Sequence, residues 1–313
     1  MKKILFPLFL LVPLLALTAA EPGKPLRIGF AQTGAESAWR TANSESMKAE
    51  AARRGIDLKF SDGQGKQENQ IRAVRSFITQ GVDAIVLAPL VETGWDPVLR
   101  EAKRAHIPVI ITDRSIVTAD ESLYACFLGS DFYAEGRMAA EWLAKKTGGK
   151  GRIVELQGTA GSAPANDRRK AFAEGIAKYP GLQIIDAQSG DFRRAGGKEV
   201  MEAFLKKHGK DIDIVYAHND DMALGAIQAI EAAGLKPGTD IIIVSIDAIK
   251  EGVQAVVDGK INCVVECNPL FGPKVYDTVA QVLAGRAVPR KAYNKDELFD
   301  ATNAAAALPT RQY

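Results

Sequence analysis

Polar and aromatic side chains recur directly after the predicted strands of this chain, and their types suit hydrogen bonding to hydroxyl groups. The first strand is followed by Glu36, Trp39 and Arg40, and a later apolar strand runs straight into Asp113 and Arg114. Carboxylates accept hydrogen bonds, guanidinium groups donate several, and aromatic rings cover the C–H face of a bound ring. This combination predicts a cleft that binds a small polyhydroxylated molecule.

The same pattern continues along the chain, where further polar or aromatic residues lie just past predicted strands: Gln64, Phe192, Asn219, Asp247 and Glu266. Arg168, in a predicted helix, adds a third arginine to the set. Carboxylates nearly balance the arginines of the combined set. A sugar acid or a phosphate would need a surplus of positive charge, so the balance favours an uncharged polyol such as a sugar.

Each of these residues also has a simpler structural interpretation. Residues 219–221 could only cap the helix that follows them, because Asn and Asp are common N-caps. Glu36 and Arg40 are four residues apart and could form only a surface ion pair. Arg168 could be one solvated charge among charged neighbours. The recurrence after successive strands, and not any single residue, favours a binding site.

Enzymatic chemistry has less support in the sequence. The chain contains no GxxxxGK[ST] phosphate-binding loop and no GxSxG nucleophile turn. Its histidines, His106, His208 and His218, are too scattered to predict a zinc site. Hydrolysis by a carboxylate pair such as Asp113 with Asp247 stays open, because spacing alone does not exclude it. The sequence predicts no catalytic residue, no metal and no cofactor.

Alternating strands and helices must position these side chains. The runs AIVLAP, PVIIT and IIIVSI are apolar on both faces, which is typical of parallel strands covered by helices. GVDAIVLAPL and IPVIITDR in the first half resemble DIDIVYAHND and DIIIVSIDA in the second half. We therefore predict two similar α/β lobes, each with a doubly wound parallel sheet. Ligands of such sheets bind outside the carboxyl ends of the strands.

The N-terminus has the features of a secretory signal peptide. Lys2 and Lys3 precede an apolar stretch over residues 4–17, and small residues follow it. That stretch is shorter than the roughly 20 residues that span a bilayer, so we predict a signal peptide over residues 1–20, cleaved after Ala20. Removing both lysines lowers the formal net charge from +2 to zero. Without a basic stripe, a nucleic-acid partner is not expected.

The cysteines do not form a disulfide framework. Cys263 and Cys267 are four residues apart in an apparent strand, a separation of about 13 Å, which is too long for a disulfide. We predict that these two residues and Cys126 are buried free thiols.

Long segments of the chain are particular enough to indicate a family. They are GFAQTGAESAWR, DGQGKQENQIRAVRSFITQGVDAIVLAP, ETGWDPVLREAK, IPVIITDRS, VELQGTAGSAPANDRRKAFAE, SGDFRR, VYAHNDDMALGAIQAI and SIDA. From about Arg27 to about Ala287 the chain resembles type I periplasmic sugar-binding proteins. Within them it is most similar to the galactofuranose-binding components of bacterial ABC transporters.

The resemblance implies a fold of two lobes joined by three crossing strands, near Gly129, Glu266 and Arg290. The first lobe would comprise residues 24–128 and 267–290, and the second residues 129–266 and 291–313. A cysteine pair found in the second lobe of a close relative is expected to be absent, since Gly151 or Arg152 and Asp213 stand at those places. The tail after residue 287 departs from the family pattern.

The resemblance also implies a function. The protein would be a periplasmic monomer without enzymatic activity that captures a neutral monosaccharide, galactofuranose or a related pentose or hexose. It would deliver this ligand to an inner-membrane ABC permease with its ATPase. The implied contacts are Glu36, Trp39, Arg40, Asp113, Arg114, Arg168, Phe192, Asn219 and Asp247, with Gln64 and Glu266 in addition. Sugar sensing for a chemoreceptor or sensor kinase stays open, whereas a repressor would need N-terminal DNA-binding helices.

Overall fold

The structure, a computed structural model, describes residues 24–313. The predicted signal peptide over residues 1–20 lies outside the described residues. The strands are β1 (Arg27–Gln32), β2 (Asp57–Asp62), β3 (Ala84–Leu87), β4 (Val109–Thr112), β5 (Cys126–Gly129), β6 (Lys150–Gln157), β7 (Gly181–Ser189), β8 (Ile214–Ala217), β9 (Ile242–Asp247), β10 (Cys263–Glu266), β11 (Lys291–Tyr293) and β12 (Leu298–Asp300). The helices are α1 (Ala38–Arg53), α2 (Gln67–Gln80), α3 (Asp96–Arg104), α4 (Phe132–Thr147), α5 (Ala163–Ile176), α6 (Arg194–His208), α7 (Asp220–Ala232), α8 (Lys250–Val257), α9 (Gly272–Leu283) and α10 (Ala304–Ala307).

The strands form two sheets with the same internal order. One sheet runs β11-β5-β4-β3-β1-β2 and the other runs β12-β10-β9-β8-β6-β7. Strand pairs are parallel in both sheets, except that β12 lies antiparallel to β10. β3 and β8 occupy equivalent positions, and so do β4 and β9, as the repeated sequence segments predict. The prediction of two similar α/β lobes with parallel sheets is confirmed.

The central strands are buried on both faces. Every residue of β3, β4, β5, β8 and β10 is buried. Apolar side chains pointing either way are removed from water, which explains why these segments are continuous apolar runs. The packed core therefore fixes the carboxyl ends of these strands, where the polar candidates lie.

The chain passes from one sheet to the other three times. The first two crossings follow β5 and β10, at the predicted places near Gly129 and Glu266. The predicted third crossing near Arg290 is wrong, and so is the assignment of residues 291–293 to the second lobe. β11 pairs with β5 in the first sheet, with Lys291 opposite Phe127, so the chain crosses between β11 and β12.

The two lobes contact each other on both sides of the cleft. On one side, the backbone N–H of Ala38 donates to Asp221 Oδ2 at 2.8 Å. On the other side, the backbone N–H of Glu92 donates to the Gly161 carbonyl at 2.9 Å, and Asn166 Nδ2 donates to Glu92 Oε2 at 2.6 Å. Each of these hydrogen bonds joins a residue of one lobe to a residue of the other, so the cleft is closed in this structure.

The cysteines are free and buried, as predicted. Burial raises the pKa of Cys126 to about 11 and raises the pKa of Cys263 and Cys267 well above the usual value of a thiol. Arg152 and Asp213 form an ion pair with Nε and Oδ2 3.0 Å apart. Across residues 24–313, none of the helices has the length and apolar character needed to cross a membrane.

The packing of α6 against α7 depends on glycine at position 225. A Cβ atom at this position would lie 2.0 Å from the Arg194 carbonyl oxygen. In an exposed helix Gly→Ala stabilises by up to about 1 kcal/mol, but here the clash forces the helices apart. We expect Gly225→Ala to lower the free energy of unfolding by about 1–3 kcal/mol in urea denaturation. The exposed Gln228→Ala in the same helix is the control, and a more stable Gly225→Ala protein would refute this packing.

Candidate functional site

A cavity between the lobes collects residues from the carboxyl ends of both sheets. The lobes are closely apposed around it, and residues of both contribute to its lining. We call it the central cavity, and its lining residues are Glu36, Ser37, Trp39, Arg40, Asp113, Arg114, Phe132, Pro164, Arg168, Phe192, Asn219, Asp247 and Cys267. Most of the predicted site residues are therefore neighbours around one space.

The N-terminus of α1 aims the first group of side chains into the central cavity. Ser37 caps the helix, since its hydroxyl accepts a hydrogen bond from the Arg40 backbone N–H at 3.1 Å. This cap places Trp39 and Arg40 in the first helical turn, where both are buried. The indole N–H of Trp39 donates to the Cys267 carbonyl, which ties α1 to the segment that follows β10.

The two arginines of the first lobe are held by carboxylates. Arg40 contacts Asp113 Oδ2 at 2.7 Å and Glu36 Oε1 at 3.1 Å, and Arg114 contacts Glu36 Oε1 at 3.3 Å. Burial disfavours the charged form of Glu36, but both guanidinium groups outweigh it and lower its pKa. Burial and repulsion from Arg40 lower the pKa of Arg114 to about 10. The buried guanidinium groups of the first lobe are therefore paired with carboxylates.

The arginine of the second lobe has a partner that the sequence patterns do not reveal. Arg168 donates from Nε to Glu135 Oε2 at 2.7 Å and from Nη1 to the His218 carbonyl at 2.6 Å. Its Nη2 lies 3.8 Å from Asp247 Oδ1. Two of its three nitrogens are thus fixed by protein groups, while Nη2 remains on the side of the central cavity where Asp247 stands.

Several site residues have a backbone conformation that L-residues rarely adopt. Asp113 has φ 62°, Phe192 has φ 60° and Asp247 has φ 125°. Such conformations cost on the order of 1–3 kcal/mol each and persist only where the surrounding structure imposes them. Their concentration around one cavity indicates that the positions of these side chains matter more than local stability.

Buried polar atoms without a protein partner are also found here. Arg114 Nε and Glu135 Oε1 have no hydrogen-bond partner among residues 24–313. Asp113 Oδ2 is held only by its ion pairs with Arg40 at 2.7 Å and with Arg114 at 3.7 Å. Buried polar groups are usually hydrogen-bonded, so the atoms of Asp113 and Arg114, which line the central cavity, can still accept from or donate to the hydroxyls of a ligand.

Aromatic rings complete the walls of the central cavity. Trp39 packs edge-to-face on Phe271, with ring centroids 6.2 Å apart. The guanidinium of Arg114 lies 5.2 Å from the ring centre of Phe192, across the cleft. Phe132 lies 5.1 Å from the guanidinium of Arg168. These rings exclude water from the ion pairs and offer apolar surface to the C–H face of a ring.

Two predicted site residues do not line the central cavity. Gln64 is exposed and lines a neighbouring cavity closer to solvent. Glu266 is buried at the second crossing, where Oε1 accepts from Arg311 Nη2 and from the Tyr313 hydroxyl. The C-terminal tail covers Glu266, and nothing in the sequence of β10 indicates that contact.

Other lining residues were missed by the sequence analysis, although some carry a usable signal. Cys267 directly follows β10 and Phe132 closely follows β5, so the strand-end pattern extends to both. Pro164 lies within a helix and carries no such signal. Neither does Glu135, which is outside the lining but contacts Arg168 from α4.

The helix-capping alternative is partly correct. Asn219 Oδ1 accepts from the Met222 backbone N–H at 3.1 Å, so Asn219 caps α7 and lines the central cavity as well. Asp220 has a structural role, since it accepts hydrogen bonds from the Ser245 hydroxyl and from the Ile249 backbone N–H. Asp221 forms the contact with Ala38 across the cleft. Of this segment, only Asn219 belongs to the site.

The interpretation of Arg168 and of the Glu36–Arg40 pair as surface charges is wrong. Arg168 is 2% exposed, so it is not a solvated surface charge, and the Glu36–Arg40 pair lines the central cavity. His218 Nε2 contacts Glu155 Oε1 at 2.9 Å, and burial lowers the pKa of this histidine. The part of the chain that the structure describes contains no group of three His, Cys, Asp or Glu side chains placed to hold a metal.

Burial of Glu135 predicts a pH dependence of stability. Burial raises its pKa from 4.5 to about 8, against the attraction of Arg168. The folded state therefore binds this proton more tightly than the unfolded state, and the stability it contributes is lost as pH rises from about 5 to about 8.

We expect the free energy of unfolding of the wild-type protein to fall more steeply over that range than that of Glu135→Gln. Urea denaturation at several pH values measures both slopes. Glu141→Gln, an exposed change on α4, is the control and should retain the wild-type slope. Identical slopes for wild type and Glu135→Gln would contradict the assignment.

The comparisons with known proteins agree with this fold. The family described as periplasmic binding protein domain matches residues 28–287. The chain is 51% identical over 279 residues to the galactofuranose-binding protein YtfQ of Escherichia coli (strain K12), and the match covers 88% of each chain.

Two solved structures are similar over nearly the whole chain. A crystal structure from Mycobacterium smegmatis in complex with β-D-fucofuranose has a TM-score of 0.90 and 56% identity, covering 92% of this chain and 95% of that one. The binding component of the arabinose ABC transporter from Shewanella sp. ANA-3, bound to α- and β-L-arabinofuranose, has a TM-score of 0.89 and 52% identity, covering 91% and 95%. With its two parallel sheets, its closed cleft and a family match over most of its length, the chain belongs to the periplasmic binding protein domain family.

Proposed function

We propose that this protein captures a neutral furanose sugar, galactofuranose or a related pentose or hexose, in the periplasm and delivers it to an ABC permease. The observation that carries the proposal is the convergence of paired arginines and carboxylates from both lobes on the central cavity. The relatives named above bind galactofuranose, fucofuranose and arabinofuranose.

Charge pairing supports an uncharged ligand. Arg40 and Arg114 are neutralised by Asp113 and Glu36, and Arg168 is hydrogen-bonded to Glu135. In the first lobe a phosphate or a sugar acid would bring a further negative charge beside Asp113 and Glu36, and Arg40 and Arg114 are already paired with these carboxylates. Hydroxyl groups can donate to the carboxylates and accept from the guanidinium groups at once, and hydrogen bonds to charged groups are the stronger kind.

The chemistry of the walls supports a sugar ring as the ligand. The central cavity has aromatic walls in Trp39, Phe132 and Phe192 and polar groups between them. Rings that cover the C–H faces, with polar groups at the edges, suit a flat five-membered ring with hydroxyl substituents.

Ligand binding and lobe closure are coupled in this proposal. Asp113 and Arg114 come from the first lobe, and Arg168, Asn219 and Asp247 come from the second. A ligand that contacts both groups binds the closed form better, so it shifts the hinge equilibrium toward closure. The permease would then recognise the closed form, and the protein would act as a monomer without transforming the sugar.

A sensory role is the second candidate. The relatives include binding components of import systems, which favours transport. A closed, ligand-bound form could equally be presented to a chemoreceptor or a sensor kinase. A growth defect on the sugar after deletion of the gene favours transport, whereas loss of taxis or signalling with normal uptake favours sensing.

Binding calorimetry tests the ligand and the site together. We expect galactofuranose or arabinofuranose to bind with a stoichiometry of about one and without turnover. Asp113→Ala and Arg114→Ala each leave a buried charge without its partner, which costs about 1–3 kcal/mol or more, so the dissociation constant should rise about tenfold or more. Arg100→Ala, an exposed change on α3, is the control. A flat response to every sugar of a panel with ribose and both furanoses would refute the proposal, and full affinity in both variants would refute the site.

Export predicts a defined mature N-terminus. We expect the protein recovered from the periplasm to begin at Glu21, as measured by mass spectrometry of the intact chain. Leu11→Arg places a charge in the apolar stretch and should leave uncleaved precursor inside the cell. The mature chain lacks position 11, so this change leaves the exported fold unaltered. Recovery of the full-length chain in the periplasm would contradict the prediction.

A further inference from the structure

A second cavity shares the lining residue Glu36 with the central cavity, and both lobes contribute to it. We call it the outer cavity, and its lining residues are Gly34, Ala35, Glu36, Gln64, Gly65, Leu90, Thr159, Asp191 and Arg193. The first six belong to the first lobe and the last three to the second, so the outer cavity takes this shape only when the cleft is closed.

The two cavities share their dividing wall. Glu36 lines both of them. Its Oε1 accepts hydrogen bonds from Arg40 and Arg114 on the side of the central cavity. Its Oε2 lies 3.1 Å from the place that a Cβ of Gly34 would take, on the side of the outer cavity, and accepts no hydrogen bond from residues 24–313. On the opposite lobe, Phe192 lines the central cavity while its neighbours Asp191 and Arg193 line the outer one.

The lining of the outer cavity has the chemistry of a second polyol site. Gln64 and Thr159 offer an amide and a hydroxyl from opposite lobes, and neither side chain is engaged in a hydrogen bond within the described residues. Asp191 and Arg193 contribute one charge of each sign, with their closest polar atoms 3.7 Å apart. Leu90 and Ala35 supply apolar surface. The lining has no surplus of positive charge, since Glu36 and Asp191 stand against Arg193.

Backbone strain occurs at facing positions of the outer cavity. Gln64 has φ 53° and Asp191 has φ 55°, and neither is glycine. Non-glycine residues in this conformation are uncommon and cluster at ligand-binding sites. One of these two residues lies on each lobe, so strained positions flank the outer cavity on both sides.

We propose that the outer cavity is a second subsite, which takes the second ring of a short furanosyl disaccharide while the terminal furanose occupies the central cavity. This inference rests on the proposed function, because it assigns the terminal ring to the central cavity. With the terminal ring in the central cavity, the second ring would lie beyond Glu36, which lines both cavities. There the hydroxyls of that ring meet Gln64 and Thr159, and its C–H face meets Leu90.

Calorimetry with galactofuranose and with a β-linked galactofuranosyl disaccharide tests the subsite. Thr159→Trp fills the outer cavity, and Arg193→Ala removes an exposed donor from its edge. We expect each variant to weaken disaccharide binding, Thr159→Trp by about tenfold or more, while the affinity for galactofuranose stays within about twofold of wild type. Arg169→Ala, an exposed arginine of the same lobe, should change neither affinity.

The outcomes separate the two proposals. Binding of galactofuranose without binding of the disaccharide overturns the subsite and leaves the proposed function intact. Disaccharide binding that neither variant weakens also overturns the subsite, because the second ring then lies elsewhere. Failure of both sugars to bind overturns the proposed function and the subsite with it. If Thr159→Trp does not fold, the exposed Arg193→Ala decides the question alone.

Discussion

Burial of three guanidinium groups between two lobes is the constraint on which the rest of this structure depends. Arg40, Arg114 and Arg168 are each no more than 3% exposed. A buried charge is tolerated only when it is paired and hydrogen-bonded. Carboxylates must therefore stand at the carboxyl ends of the strands, and α4 must carry a glutamate into the core. The ion pairs fix the side chains before any ligand arrives, so little ordering remains to be done on binding.

The same constraint explains the strained backbone at the cleft. Asp113 directly follows β4 with a left-handed backbone, and its carboxylate contacts Arg40 at 2.7 Å. Without this contact Arg40 would keep Glu36 as its only carboxylate. Breaking a buried ion pair costs several kcal/mol, whereas backbone strain at one residue costs on the order of 1–3 kcal/mol. The ion pair outweighs the backbone preference.

Sequence patterns predicted those strands that are buried on both faces. The apolar runs of β3, β4, β8 and β9 are buried on both faces, and that burial produces the pattern from which they are predicted. β11 and β12 have three residues each with mixed exposure, so no apolar run marks them. Asp113 and Asp247 were predicted because they follow strands. Glu135 was not, because its place at Arg168 is set by the packing of α4 on α5. Glu266 satisfies the strand-end rule yet faces the C-terminal tail.

The two lobes share one topology but differ in how their charged side chains pair within the cleft. β4 and β9 occupy equivalent positions and both end at an aspartate with positive φ. In the first lobe that aspartate contacts Arg40 directly at 2.7 Å. In the second lobe Arg168 bonds Glu135 instead and stands 3.8 Å from Asp247. Burial raises the pKa of Asp247 despite Arg168. The carboxyl of Asp247 is thus less committed to the protein than that of Asp113, which leaves it available to hydrogen-bond a ligand hydroxyl. Duplicated sheets supply matching carboxyl groups, and unequal pairing with the neighbouring arginines gives the two sides of the cleft different roles.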